Sequence, residues 1–494
     1  MLASSITYDA VIVGSGPNGL AAAAHLVQAG LRVHVVEAAE TLGGGLRTAE
    51  LTLPGFQHDV CAAIHPMGEL SPFFQELQLE TRGLEFRHPE ASVAHPLEDG
   101  PAILLQKSLT DTAAQLGKDQ QAYDKLLRPF LRGDTQKLMA DILGPARIPK
   151  RPFTMARFGY YGLRPATRLA HGLFKEHYAK ALFAGCAAHS VISFDKWLSG
   201  GVGLIFCYTG HLTNWPLIVG GSANLAKALC SVITAGGGTF ETKRSITHLA
   251  QLPPARAYLF DVAPRQFAAI AKDALPAAYV KRLAKYRYGP GFFKVDYALS
   301  QPIPWKDPRC LQASTVHVGG TFEEIAAAEH AAYHGTHAAR PFVLVAQQSQ
   351  FDSSRAPAGQ HTGYAYCHVP AGSIEDMTEA IEAQIERFAP GFRDCILARH
   401  TFGPAAWEAY NPNYVGGACT GGVADLFQFF TRPVARLSPY STPNPQLFLC
   451  SAATPPGGGV HGMCGYFAAR SAFPQETRAL RRQPNVAPQA KLGQ

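Results

Sequence analysis

The chain opens on an unbroken apolar run. Tyr8-Asp9-Ala10-Val11-Ile12-Val13 is short, rich in β-branched residues and followed at once by glycine, which predicts a buried parallel strand. Gly14-Ser15-Gly16-Pro17-Asn18-Gly19 then leads into Leu20-Ala21-Ala22-Ala23-Ala24-His25-Leu26, a predicted helix closed by Gly30. A second strand over Arg32 to Val36 ends at Glu37. Further along, Gly220-Gly221-Ser222-Ala223-Asn224 opens a helix through Ile233, and Gly236-Gly237-Gly238 stops it. Thr239 to Leu249 reads as a strand pair, and Ala257 to Val262 as a strand followed by a proline turn at Pro264. Four segments, Phe292–Leu299, Leu311–Val318, Phe342–Gln347 and Thr362–Val369, predict an antiparallel sheet.

Two helix starts stand out among them. Thr321-Phe322-Glu323-Glu324 is a capping box. Ser373 to Asp376 predicts the cap of a helix whose Ile374, Met377, Ile381, Ile385 and Phe388 form a core stripe before Pro390-Gly391. Near the end, Leu447 to Ser451 predicts a strand, Pro455 to Gly462 a glycine turn, and Met463 to Ala472 a helix. The fold class is therefore α/β, a Rossmann-like nucleotide-binding domain beside a substrate domain with an antiparallel sheet and helices. The first domain is expected from 1–75, 215–275 and 430–478, the second from 76–214 and 276–429, with a polar tail at 479–494.

The first turn carries chemistry. Gly14 permits the tight turn, Gly16 lets backbone approach a pyrophosphate, and Gly19 lets helix lie close on strand. The helix start offers free N–H groups and a positive dipole end to phosphate. Glu37, 23 residues after Gly14, stands where a carboxylate grips ribose hydroxyls. A second glycine turn, Gly43-Gly44-Gly45, follows six residues later, with Arg47-Thr48, Pro54-Gly55-Phe56 and Asp59 beyond it. It lets another backbone segment run along the same diphosphate, which a simple NAD dehydrogenase does not need.

Composition narrows the class. Of 494 residues, 47% are apolar and 16% charged, too apolar for disorder and too evenly interrupted for a polytopic membrane protein. The stretch from Trp197 to Ala226 has no Lys, Arg, Asp or Glu, but its glycines and Pro216 argue against a spanning helix. Ten cysteines, the closest pair being Cys450 and Cys464, form no CxxC pair and no zinc knuckle. Free thiols in a reducing compartment follow (cytoplasm, or mitochondrial matrix in a eukaryote), and no metal site is expected. The net charge of +7 is concentrated: Arg147 to Lys180 holds eight basic residues and one acid, Glu176, interleaved with aromatics. That mixture fits an anionic lipid surface, with a solvated face or a subunit contact as the plainer readings, and no nucleic-acid motif accompanies it.

From the two glycine turns, the acid and the Gly55-Phe56…Asp59 segment, the chain resembles the flavin oxidoreductases that include phytoene desaturases, monoamine oxidases and Rab GDP-dissociation inhibitors. Gly45 replaces the arginine that many carotenoid desaturases carry there. Tyr288-Gly289-Pro290-Gly291, Arg355-Ala356-Pro357-Ala358-Gly359 and Pro455–Gly465 resemble a phytoene-desaturase-like subgroup that includes the pyridine nucleotide-disulphide oxidoreductase domain-containing proteins. The resemblance implies FAD, bound by Gly14, Ser15, Gly16, Asn18, Gly19, Glu37, Ala38, Gly43, Gly44 and Gly45. It further implies Ile246 against the adenine, and Gly457, Gly458, Gly459 and Val460 against the isoalloxazine edge.

The implied activity is dehydrogenation or desaturation of a hydrophobic, polyene- or lipid-like substrate by hydride transfer to flavin N5. Oxygen or a quinone would reoxidise the flavin, since no second dinucleotide motif is visible; an oligomer is compatible with the sequence. His65 and His461 are the candidate catalytic residues, as proton donors or flavin contacts. Trp407, Tyr410 and Tyr414 read first as packing and second as an aromatic wall. The alternatives are an amine oxidase of the same fold and a non-catalytic binding protein of the Rab-inhibitor kind.

Overall fold

A computed structural model describes residues 7–480, and the apolar runs resolve in it into two large sheets and two short two-stranded ones. In chain order the strands are β1 (Tyr8–Val13), β2 (Val33–Val36), β3 (Thr48–Glu50), β4 (Gln57–Asp59), β5 (Phe86–Arg87), β6 (Ala91–His95), β7 (Ile103–Gln106), β8 (Leu217–Ile218), β9 (Thr239–Glu241), β10 (Ala255–Phe260), β11 (Gly291–Leu299), β12 (Ala313–Val318), β13 (Val343–Ala346), β14 (His361–Val369), β15 (Ile396–Phe402) and β16 (Leu447–Leu449). The first sheet runs β16-β10-β1-β2-β9 with every pair parallel. Its strands come from three distant stretches of chain, as the order of the glycine turns anticipates. The second runs β15-β11-β14-β13-β12-β6-β7 and is antiparallel except where β12 pairs with β6. The four strands expected from the sequence, β11, β12, β13 and β14, pair antiparallel with one another, and the parallel contact is to β6, a strand not expected from the sequence.

The helix Pro17–Gln28 starts at N-cap Gly16 with proline in its first turn, the position where a missing N–H costs nothing. It crosses the helix Met463–Ala472 so closely that a Cβ on Gly465 would lie 1.8 Å from Asn18 O. The helix Phe322–Tyr333 carries the predicted capping box, with both Thr321 and Glu324 engaged.

Three sequence expectations change. Only Thr239–Glu241 of the expected strand pair is a strand; beyond it, Gln251 Oε1 accepts from Thr247 and His248 N–H and folds the chain into a turn. Pro264 begins the helix Pro264–Ile270 rather than a turn. The core-stripe helix starts at Thr378, because Ser373 and Asp376 tie up the Glu375 and Thr378 N–H groups, leaving Ile374 97% exposed outside it.

The uncharged stretch forms the 15-residue helix Ser199–Thr213. Its lack of charge reflects packing on several sides at once: a Cβ on Gly201 would meet Gly162 O at 2.6 Å. Among the described residues, no helix is long and apolar enough to cross a membrane. The polar tail lies, from residue 481 onward, outside the described residues.

Candidate functional site

The glycine turn after β1 and the turn over residues 43–45 touch. Gly44 packs against Gly16, where a Cβ would stand 2.9 Å from the Gly16 Cα, and Gly43 N–H donates to Ser15 O at 3.1 Å. Glu37, at the end of β2, is buried beside them. Its Oε2 accepts from Ser15 N–H at 2.9 Å and from the Ser15 hydroxyl at 2.6 Å. Its Oε1 accepts from Ala39 N–H at 2.9 Å and pairs with Arg47 at 3.3 Å. Four donors thus fix one carboxylate at the mouth of the cradle, the arrangement that binding a ribose and diphosphate requires.

One feature of this cradle was not legible in the sequence. Asp261, just past β10, reaches the first turn of the helix and accepts from Gly19 N–H at 2.8 Å. Burial pushes its carboxyl up to about 7, with the Glu37 charge adding to the rise. A neutral acid there caps the helix without repelling a diphosphate.

The glycine turn at residues 457–459 closes the other end. A Cβ on Gly459 (φ +112°) would lie 3.1 Å from Met67 Sδ, so this turn sits on the segment that carries His65. The Ser71 hydroxyl donates to His461 O at 2.6 Å and joins the same two segments. His65 Nε2 is 2.8 Å from the Ser222 hydroxyl, and His461 Nδ1 accepts from Met463 N–H at 3.0 Å. Burial lowers both imidazoles to about 4, so both are neutral near pH 7. Asn18 Oδ1, His65 Nδ1 and His461 Nε2 remain buried without a hydrogen-bond partner. One orphaned polar atom from each of three segments, together with the glycine cradle, fits a dinucleotide cofactor. Ile246 is half-buried and packs against the buried cluster on the parallel sheet that includes Val11, Val13 and Val36. Ala38 follows Glu37 directly, and Val460 is half-buried next to Gly459.

The second sheet presents a polar face to this region. Register places Phe292, Lys294 and Asp296 of β11 opposite His368, Tyr366 and Tyr364 of β14. Lys294 is 1% exposed; its Nζ donates to Asp59 O at 2.9 Å and Val60 O at 2.8 Å, and pairs with Asp296 at 2.8 Å. Burial pushes Asp296 up to about 6, with Lys294 opposing. Lys294 therefore bridges the sheet to the end of β4. Asp59 itself is not free for chemistry: it pairs with Arg355 and accepts from Ser222 N–H at 2.8 Å.

Around this face, Val60, Val191, Phe292, Phe402 and Trp407 form an apolar cluster, with Cys61, Tyr366, Tyr410, Tyr414 and Cys419 against it. Trp407 stacks on Phe402 at 4.5 Å, so the tryptophan is packing, as expected. Tyr410 and Tyr414 instead cover the second glycine turn: the Tyr410 hydroxyl donates to Gly44 O at 3.3 Å, and a Cβ on Gly45 would meet the Tyr414 hydroxyl at 2.7 Å. Glycine at 45 makes room for that tyrosine, where an arginine would not.

Two pairs here escaped sequence reasoning, because their members are far apart in the chain. Cys61 and Cys419 lie against the same apolar cluster. The neighbouring Cys419 thiol, with the Tyr414 hydroxyl and the Lys294 charge, outweighs burial and holds Cys61 below its ordinary range. On the far side of the cluster, Glu329 accepts from His368 Nδ1 at 2.8 and 2.9 Å, both residues being buried, and His368 Nε2 has no partner.

Comparison with known proteins agrees with this geometry. Residues 12–77 match the model of the NAD(P)-binding Rossmann-like domain. Pyridine nucleotide-disulfide oxidoreductase domain-containing protein 2 of Rattus norvegicus is 26% identical over 94% of this chain and 93% of its own length. One of the subunits of limonene dehydrogenase from Castellaniella defragrans is 35% identical over a segment covering 20% of this chain and 18% of its own. The solved structure of putrescine oxidase bound to putrescine superposes with a TM-score of 0.61 at 16% identity, covering 96% of this chain and 99% of that one. The fold is an FAD-binding oxidoreductase fold.

Proposed function

A relative of the pyridine nucleotide-disulfide oxidoreductase domain-containing proteins with an FAD-binding oxidoreductase fold, the chain, we propose, dehydrogenates or desaturates a hydrophobic substrate held against the apolar cluster. The observation that carries this reading is the Glu329–His368 pair at the edge of that cluster. Removing two hydrogens from a C–C or C–O bond releases a proton as well as a hydride. A carboxylate that holds Nδ1–H leaves Nε2 as the basic nitrogen, aimed away from its partner.

FAD, when bound, supplies the acceptor for the hydride. The protein does the rest. Glu37 and the turns at residues 14–19 and 43–45 hold the nucleotide end, and Gly457 to Val460 the flavin end. His65 and His461 contact it as neutral imidazoles. Val60, Val191, Phe292 and Trp407 exclude water, and His368 Nε2 takes the proton while Glu329 stabilises the resulting imidazolium. The local likeness to a limonene dehydrogenase supports an apolar substrate.

The amine-oxidase alternative finds less support. Among the described residues of this polar sheet face, Asp296 is paired with Lys294, and nearby Glu329 and Asp59 are paired with His368 and Arg355. No carboxylate there is left to hold an ammonium group. Oxygen or a quinone remains the proposed acceptor for the reduced flavin.

The test is anaerobic mixing of the flavin-loaded protein with cyclic terpenes, polyenes and acyl chains, and separately with putrescine and cyclohexylamine. Flavin bleaching by the apolar set, slowed about 10²–10⁴-fold in His368→Gln with loss of the pH dependence, is expected. Bleaching by amines alone overturns the reading.

A further inference from the structure

A second cluster lies on the exposed end of the helix Phe322–Tyr333, apart from the groups just described. His330 is in its last turn and His334 caps it, so the two imidazoles lie one turn apart on one face, with centroids 4.2 Å apart. Asp195 comes to the same place from the segment after the helix His177–Ala188. A carboxylate oxygen of Asp195 and one nitrogen from each histidine all lie within 4.8 Å of one another. The Ser193 hydroxyl donates to Asp195 Oδ1 and lies 3.2 Å from His330 Nδ1, tying the two elements together. Lys196 Nζ sits 3.0 Å from Asp195 Oδ2, so Oδ1, which accepts from the Ser193 hydroxyl, is the carboxylate oxygen not paired with a cation.

The backbone around Asp195 is independently unusual. Val191 and Leu198, which bracket it, have φ of +54° and +78°, a region that bulky and β-branched residues avoid. A strained segment persists only where something holds it. Backbone bonds hold its two ends, from Val191 N–H to Ala188 O and from Leu198 N–H to Leu163 O, both at 3.0 Å, while the exposed Asp195 between them reaches the helix through Ser193. A metal ion would join all three side chains.

We propose that Asp195, His330 and His334 bind a divalent transition-metal ion of the zinc or nickel kind and so fasten the strained 191–198 segment to this helix. Two imidazoles and one carboxylate suit such ions rather than calcium or magnesium. Ligand atoms on a tetrahedral zinc are roughly 3.4 Å apart, so modest rotation of three exposed side chains closes the site, and a water takes the fourth position. The consequence reaches the substrate cluster from two sides. Val191 is one of its buried residues, and Glu329, the partner of His368, immediately precedes His330. The site is independent of the flavin chemistry proposed above.

The experiment is calorimetric titration of EDTA-treated, flavin-containing protein with zinc chloride, paired with hydrogen exchange across residues 191–198. One site of micromolar affinity is expected, weakened at least tenfold in His330→Ala and in His334→Ala, with flavin content unchanged. Exchange across 191–198 should slow on adding zinc to the wild type and not to the variants. If a histidine variant loses flavin, Asp195→Asn takes its place in the comparison. Zinc uptake equally tight in the wild type and the variants, no uptake at 100 micromolar metal, or unchanged exchange in the saturated wild type would each overturn the proposal.

Discussion

Arg355 and Asp59, 296 residues apart in the chain, form a 2.9 Å ion pair with both side chains fully buried. Burial acts to raise the Asp59 carboxyl, yet Arg355 and the Ser222 N–H hold it below its usual range. Arg355 also pairs with Asp352 at 2.8 Å and donates to Ile218 O at 3.2 Å. One guanidinium thus ties the end of β4, beside the nucleotide cradle, to a loop before β14. Removing one partner of such a pair leaves a buried charge uncompensated. Arg355→Met should therefore cost about 3–5 kcal/mol and release flavin. Arg355→Met with Asp59→Leu should recover part of the loss, and thermal unfolding with flavin fluorescence reads both.

Flavin affinity should fall as pH rises through about 7. Asp261 is then losing its proton beside the helix start that faces the diphosphate. The sign follows from the negative charge that Asp261 gains beside the diphosphate; folding stability changes with it, since a folded-state value raised above the unfolded one near 3.8 gives a contribution complete below about pH 4 and lost on passing about 7. Asp261→Asn keeps a neutral side chain that accepts from Gly19 N–H, so its FAD dissociation constant should stay flat between pH 6 and 8.5. Fluorescence of released FAD measures this, and a wild-type affinity equally flat over that range would remove Asp261 from the account.

The glycine turns and Glu37 of the nucleotide cradle were readable in the sequence because they are local, whereas Asp261, which joins the cradle from the end of β10, was not. Gly14, Gly19, Glu37 and Gly44 fall within 31 residues and follow the periods of strand, turn and helix. The substrate side was readable only as strands. Lys294 and Asp296 did offer a signal: two charges on one face of an otherwise apolar strand must face each other or a partner. Glu329, on the buried side of its helix, was a similar sign. Their partners were not legible, because Glu329–His368, Cys61–Cys419 and Asp195–His330 are joined by sheet register and helix packing rather than by spacing. The missed start of the Thr378 helix has a local cause, since the Ser373 and Asp376 side chains each take one N–H group, those of Glu375 and Thr378, ahead of the first helical turn.

Cys61 should be the first of the ten thiols to alkylate. The Cys419 thiol and the Tyr414 hydroxyl beside it, with the Lys294 charge, lower its pKa and favour the thiolate, while the side chain keeps partial exposure. Cys186, Cys450 and Cys464 are buried and pushed upward by that burial, so they should react slowly. In flavin-free protein, iodoacetamide followed by peptide mass mapping should label Cys61 ahead of the rest. Tyr414→Phe should slow it several-fold, and adding FAD should protect it. Labelling of Cys186 before Cys61 would contradict the arrangement.

The basic segment should carry the protein to anionic membranes. Its helices, Pro152–Gly162 and Ala166–Leu173, leave Ile148 and Phe153 about nine-tenths exposed and Tyr160 60% exposed. Arg164 lies over the Tyr160 ring at 3.9 Å, and Arg157 over Tyr161 at 5.5 Å. Apolar side chains thus stand among cations, the pairing that a headgroup region accommodates and bulk water does not. Each basic residue near an anionic leaflet is worth about 1 kcal/mol and is screened by salt, whereas an inserted phenylalanine is not. The two contributions separate by experiment. Arg157→Glu with Arg164→Glu and Arg168→Glu should abolish co-sedimentation with phosphatidylserine vesicles at low salt, and Phe153→Asp should remove only the fraction that survives high salt. Flavin content should stay at the wild-type level in both, because neither set of residues touches the cradle. A wild type that never sediments with these vesicles at low salt would mark the segment as a solvated face or a contact with another copy of the chain.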